Sequence, residues 1–398
     1  MTTNTVSVFH FNPTCEIAIA NGSPYYVPPN LLQKFEADLA PLMFVVAKES
    51  DIVICETIPG SGFVDQLRKT GLSAPTFMTK AEVQQYASDH PKMLFDFKPW
   101  GKSPVAAHLF KFLNSDLNGW DEKQKGLFER KASATFLSEF LKGNTIAEIG
   151  GTEIVPQIVT TELEIEELLI KKRPIVVKAP LSSSGRGLLV LRKDKLNEAN
   201  RQWIKGVLEQ QGYLSAEPWL NKQADLSFQF EIRQNGDVFY LGSSFFSCNS
   251  NGQYTGHFLN FSNDKKPPIS TNILEEAGSK LGEELAKSAF CESHRGILGI
   301  DAIVYLDENH QLKLHPCLEI NPRFTMGYFS QMIEQRIHQD AHGVFKIVFH
   351  PKGDYNEFAE NRAKKNPPLL ADGYVKKGFI ALTPYNSETR FGAFAELF

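Results

Sequence analysis

Residues 296–324, "GILGIDAIVYLDENHQLKLHPCLEINPRF", read as two strands joined by a turn at Asp307 to His310, and the second strand has a face that no apolar core can use. Side chains alternate along a strand, so Glu319, Asn321 and Arg323 share one side while Ile320 and Pro322 share the other. If residue 306 pairs with 311 or 312, Asp301 falls opposite 316–318, within a residue or two of Glu319. Carboxylates that converge on adjacent strands repel unless a cation lies between them or one is protonated, and Asn321 adds a neutral oxygen. Such oxygens suit a hard divalent ion, Mg2+ or Mn2+, whose shell phosphate oxygens complete. The same pattern also describes a solvated, exposed sheet face.

A second stretch, "VVKAPLSSSGRGL", bears on that choice. Lys178 closes a short β-branched strand. The small residues after it, Ser182, Ser183, Ser184, Gly185 and Gly187, leave backbone N–H groups open to a phosphate. The loop is not a Walker A motif, because the lysine precedes the glycines. By itself it is an ordinary turn; with a lysine before it and converging acids downstream, a triphosphate accounts for both features.

Along the rest of the chain, residues 1–125 alternate apolar strand-like runs such as "TVSVFHF" and "DIVICETI" with helical stretches, which predicts an open βαβ-type sheet. "PGSGF" after the second run lacks the third glycine of a dinucleotide fingerprint, Asp65 standing there, and reads as a turn. A second α/β region is expected over 126–350, with a hinge near 217–225, and a β-rich tail over 351–398. "DLSFQFEIRQNGDVFYLGSSFFSC" is a hairpin turning at Asn235-Gly236. The Pro/Gly-rich aromatic segments 12–30 and 97–104 read either as substrate-binding loops or as rigid packing loops.

Composition narrows the partners. A net charge of -4 with Lys and Arg spread along the chain gives no footprint for nucleic acid or an anionic membrane. No apolar run approaches the ~18 to 20 residues a membrane span needs, and the first residues lack the pattern of a secretory signal, so a cytoplasmic location is expected. The 5 cysteines are scattered without a CxxC pair and read as buried thiols. The 10 histidines form no HExxH or other paired spacing, so no nucleophile–base pair is apparent.

Taken in order, these features resemble the ATP-grasp superfamily of ligases and kinases. The matching stretches are "ERK" with Lys131, "VVK" with Lys178, "SSSGRG", "AEPWL" with Glu217 and Leu220, then Asp225, "GID" with Asp301, and "EINPR" with Glu319, Asn321 and Arg323. The resemblance implies an α/β (α+β) fold in which an N-terminal open sheet precedes two α+β subdomains that grip ATP. It implies that Lys131 and Lys178 meet the α- and β-phosphates, that the serine and glycine loop closes over the β- and γ-phosphates, and that the Glu217 to Leu220 backbone reads adenine. It further implies Glu217 at the exocyclic amine, Asp225 on the ribose, Asp301, Glu319 and Asn321 on Mg2+, and Arg323 on the transferred phosphoryl group. Arg295, in "HRGILGID", is a second cation for that last role or a solvent-facing residue at a helix end. The implied reaction joins a small carboxylate to an amine, thiol or other nucleophile through an acyl phosphate, releasing ADP. A phosphotransferase or a catalytically silent ATP-binding protein of the same architecture are the alternatives, and a homodimer is compatible with each.

Overall fold

The computed structural model describes residues 5–72, 74–113, 120–171, 174–182, 187–193, 195–249, 254–261 and 267–398. The strands in chain order are β1 (Thr5–His10), β2 (Ile52–Ile54), β3 (Thr76–Met78), β4 (Leu94–Pro99), β5 (Gln157–Val159), β6 (Ile175–Lys178), β7 (Leu188–Leu191), β8 (Leu214–Pro218) and β9 (Asn221–Ile232). They continue as β10 (Val238–Cys248), β11 (Tyr254–Leu259), β12 (Gly296–Leu306), β13 (Leu312–Asn321), β14 (Gly343–Phe349), β15 (Leu369–Ala371), β16 (Tyr374–Ala381) and β17 (Phe391–Leu397). No described helix is long and apolar enough to cross a membrane.

The chain forms two compact units. The first combines residues 1–120, 255–266 and 328–398. Its parallel sheet has the order β3-β2-β1-β4, as the alternating sequence predicts, and Val8, Ile52, Ile54 and Phe97 form its core with Val83 and Phe110. The helix Lys80–Asp89 starts at a capping box, Thr79 and Glu82 each bonding the other's backbone N–H. The two aromatic loops meet at the ends of β1 and β4, where the Asn12 amide bonds both the carbonyl and the N–H of Gly101. The C-terminal strands are antiparallel, and β14 pairs along its length with β17. The boundary expected at 350 therefore separates strands that hydrogen-bond to each other. Residues 328–350 sit with the first unit because pairing over forty residues of sequence decides the matter, and no local signal reports it.

The second unit combines residues 121–254 and 267–327. Its smaller sheet has the order β5-β8-β6-β7, and its larger antiparallel sheet runs β13-β12-β9-β10. In the larger sheet, alternate residues of β9 (Leu226, Phe228, Phe230, Ile232) and of β12 (Leu298, Ile300, Ala302, Val304) are buried in one core. That core also takes in Leu274, Ala277, Leu281 and Leu285 of the helix Thr271–Leu285, and Phe136, Leu137 and Phe140 of the helix Arg130–Gly143. The opposite face of the same strands is the polar one. The two hairpin turns fall where expected: Gly236, in the left-handed region at φ 89, closes the first, and the Asp307 N–H bonds the Gln311 carbonyl in the second.

Candidate active site

Register builds the polar face. Asp301 stands directly across from Glu319, one to three positions beyond the 316–318 expected from simple pairing. The ladder carries a bulge between Asp301 and Ile303, whose partner is His315, and Pro316 lies on the bulged side. Proline has no N–H to give a ladder, so the strand bows there and brings Glu319 level with Asp301. The row continues through Ser227 on β9 to Ser244 on β10. One step along, Asn321 on β13 is followed by Gly299, Gln229 and Gly242.

Hydrogen bonds tie the expected ligands together. Asn321 Nδ2 donates to Asp301 Oδ2 at 3.1 Å, and Arg323 Nη2 donates to Asn321 Oδ1 at 2.8 Å. Arg323 Nη1 donates to the Phe324 carbonyl at 3.0 Å, so the guanidinium lies back over its own loop. The second cation at the acids is Arg130, 9% exposed, whose Nη1 lies 3.4 Å from Glu319 Oε2. Arg130 also donates from Nε to the Ala179 carbonyl at 3.1 Å and from Nη2 to Ser182 Oγ at 3.3 Å. It therefore spans from the loop after β6 to the acid on β13. Lys131, the residue expected beside Lys178 at the phosphates, is exposed, and among the described residues its backbone N–H bonds the Tyr213 hydroxyl at 3.4 Å. Helix phase explains the exchange. Arg130 is on the stripe that buries Ser133, Leu137 and Phe140, three, seven and ten residues on, and Lys131 is off it.

The small sheet holds the other half. Ile175, Val177, Leu214 and Ala216 face one core, so Val176, Lys178, Ser215 and Glu217 face the other way. There Lys178 and Glu217 form a close ion pair, both side chains under a tenth exposed. Glu217 Oε2 is buried without a hydrogen-bond partner among the described residues, an acceptor that the donors of a nucleobase would satisfy. Cys317 lies within electrostatic reach of Asp301, Glu319, Glu217 and Lys178, so the two halves adjoin. Burial and those acids push its thiol well up, which disfavours the thiolate. His315, also buried, feels Glu217 and Lys178, and burial lowers its pKa to about 4, leaving the ring neutral.

Gly187 accepts from the Ala179 N–H at 2.9 Å and closes the loop after Lys178; Ser183, Ser184 and Gly185 lie outside the described residues. Trp219 and Leu220 alone join β8 to β9, within the 217–225 stretch, and Leu220 packs partly on the larger core. Asp225 follows on the polar face, its two oxygens 2.7 and 2.9 Å from Lys222 Nζ. Arg295 is not part of this cluster. Its guanidinium donates to the carbonyls of Cys291 at 2.5 Å, His294 at 2.6 Å and Gln234 at 3.3 Å. It caps a helix end just before β12, six residues and about 20 Å of strand from Asp301.

Two facing carboxylates and an amide oxygen are an oxygen-only donor set for a hard cation, and no cluster of three or more His, Cys, Asp or Glu is placed to hold a metal among the described residues. The donors fit Mg2+ better than zinc.

No protein-family model matches the chain, and no curated protein matches its sequence. Solved structures do match. N5-carboxyaminoimidazole synthetase from Staphylococcus aureus, complexed with ADP, aligns over 99% of this chain and 93% of its own at a TM-score of 0.51 and 14% identity. The biotin carboxylase domain of Hydrogenobacter thermophilus 2-oxoglutarate carboxylase, in complex with MgADP, ADP and bicarbonate, aligns over 98% and 86% at a TM-score of 0.51 and 12% identity. Rhizobium etli pyruvate carboxylase aligns over 99% of this chain and 36% of its own at a TM-score of 0.52 and 12% identity. The chain shares the fold of these structures, in line with the α/β (α+β) architecture expected from its sequence.

Proposed function

We propose that this protein is an ATP- and Mg2+-dependent ligase that activates a small carboxylate as an acyl phosphate, releases ADP, and passes the acyl group to an amine or another nucleophile. The observation that carries the reading is Arg130, which bonds Ser182 of the small-residue loop and pairs with Glu319 of the acidic hairpin. A triphosphate laid along that line would meet a guanidinium at its middle, the loop backbone on one side and the cation site at its end.

Asp301, Glu319 and Asn321 would hold Mg2+, which when bound neutralises charge on the phosphates and on the leaving ADP. Arg130 and Lys178 are the cations for the α- and β-phosphates. Lys178 reaches them by leaving its pair with Glu217, whose carboxylate is then open to the exocyclic amine of adenine. The Glu217–Leu220 backbone would read the base edge and Asp225 the ribose. Arg323 turns from Asn321 toward the transferred group and stabilises its charge as the substrate carboxylate attacks. No protein nucleophile is required, in keeping with the buried, protonated Cys317.

The test measures ADP and free phosphate in the presence of Mg2+ across panels of carboxylic acids, bicarbonate, amino acids and peptides, each with and without an amine or thiol. ADP and phosphate formed only when acid and nucleophile are both present is the expected result. ADP with a stable phosphorylated product would make the protein a kinase, and no stimulated turnover would make it a silent nucleotide binder.

A further inference from the structure

The polar face does not end at the candidate metal ligands. On β9 and β10 it continues as Ser227, Gln229 and Ser244, which are 3%, 0% and 5% exposed. Their side chains form a continuous chain. Thr325 Oγ1 donates to Gln229 Oε1 at 2.6 Å, Gln229 Nε2 donates to Ser227 Oγ at 2.8 Å, and Ser227 Oγ lies 3.3 Å from Ser244 Oγ. A fully buried amide in the middle of a sheet loses its hydration, and apolar side chains of the same size would pack there without that loss. What the amide supplies instead is direction, because a hydrogen bond fixes its partner where an apolar contact only fills space.

The partner it fixes is the loop after β13. Two glycines let that loop lie flat on the amide: a Cβ at Gly327 would stand 2.3 Å from Gln229 Nε2 and 2.5 Å from Ser227 Oγ, and one at Gly299 2.6 Å from Thr325 Cγ2. Thr325 is two residues beyond Arg323, and between them the Phe324 carbonyl accepts from Arg323 Nη1. One short loop thus carries both the cation and the hydroxyl that anchors it to the sheet.

We infer that Gln229 is a positioning residue that, through the Thr325 hydroxyl, holds the loop from which Arg323 reaches the transferred phosphoryl group; this rests on the ligase reading above. Misplacing a charge by about 1 Å at such a site is enough to lose most of its contribution. Arg323 meets the γ-phosphate, which ADP lacks, so a loosened loop weakens binding of a nonhydrolysable triphosphate and leaves ADP binding intact.

The experiment measures the affinities of Mg-AMPPNP and Mg-ADP by calorimetry in the wild type and in Thr325→Val, Thr325→Ser and Gln229→Met, with thermal melts alongside. The ratio of AMPPNP to ADP affinity is expected to fall about tenfold in Thr325→Val and Gln229→Met, one lost hydrogen bond's worth of positioning, and to hold in Thr325→Ser, which keeps the hydroxyl and loses only the methyl. An unchanged ratio in Thr325→Val, or an equal fall in Thr325→Ser, overturns the inference and leaves the ligase reading standing. Failure of the near-isosteric Thr325→Val to fold makes the chain of hydrogen bonds a folding element and overturns it as well. A wild type that binds neither nucleotide overturns the ATP reading itself.

Discussion

The two sheets of the second unit carry buried charge in opposite ways. On the small sheet Lys178 and Glu217 neutralise each other directly. On the large sheet the neighbours across the ladder are two acids, Asp301 and Glu319; the charge beside Glu319 comes from Arg130 on a helix, and Asp301 accepts from the neutral Asn321 amide, which in turn accepts from Arg323. A pair that balances its own charge needs no ligand for neutrality and must be opened to be used, although one oxygen of Glu217 still lacks a partner among the described residues. Facing acids whose charge is met from neighbouring elements instead offer their oxygens to a metal. Ligand binding should therefore be read chiefly on the large sheet, and stability chiefly on the small one.

The largest effect expected from that contrast is on folding. Lys178→Met leaves the Glu217 carboxylate, 6% exposed, without a counter-charge and should lower stability by about 3–5 kcal/mol in urea unfolding. Lys178→Met combined with Glu217→Leu should recover most of that loss, since the cost lies in the unpaired charge. A neutral Lys178→Met would erase the difference between the sheets. A smaller effect separates neighbouring cations. Arg130→Met should weaken Mg-ADP by roughly tenfold or more, the value of a charge-assisted contact, and Lys131→Met by less than about twofold. Equal losses at the two positions would return the phosphate role to Lys131.

How much of this the sequence discloses depends on the range of the interactions. The Asn235-Gly236 and Asp307 to His310 turns are local chemistry, and the polar face follows from alternation along β13. Direct opposition of Asp301 and Glu319 needed one further local fact, that Pro316 cannot hold its place in the ladder. Arg130 was open to the same kind of reading, because its spacing to Ser133, Leu137 and Phe140 marks the buried stripe of its helix. Of the two readings open for Arg295, the helix end is the one its contacts match, a choice the sequence left undecided because strand order fixes which residues are neighbours but not which end of a strand faces the site. Two features had no local signal. One is the pairing of β14 with β17 that draws the C-terminal strands into the first unit. The other is the contact between Gln229 and Thr325, ninety-six residues apart.

The central claim, that Asp301 and Glu319 form a cation site serving a nucleotide, is tested most directly by calorimetric titration of ADP with and without Mg2+. In the wild type Mg2+ should strengthen ADP binding by at least about tenfold, and in the Asp301→Asn, Glu319→Gln variant the two titrations should coincide while the thermal melt still shows a folded protein. Binding that ignores Mg2+ in the wild type, or a variant that keeps the full Mg2+ effect, would contradict it.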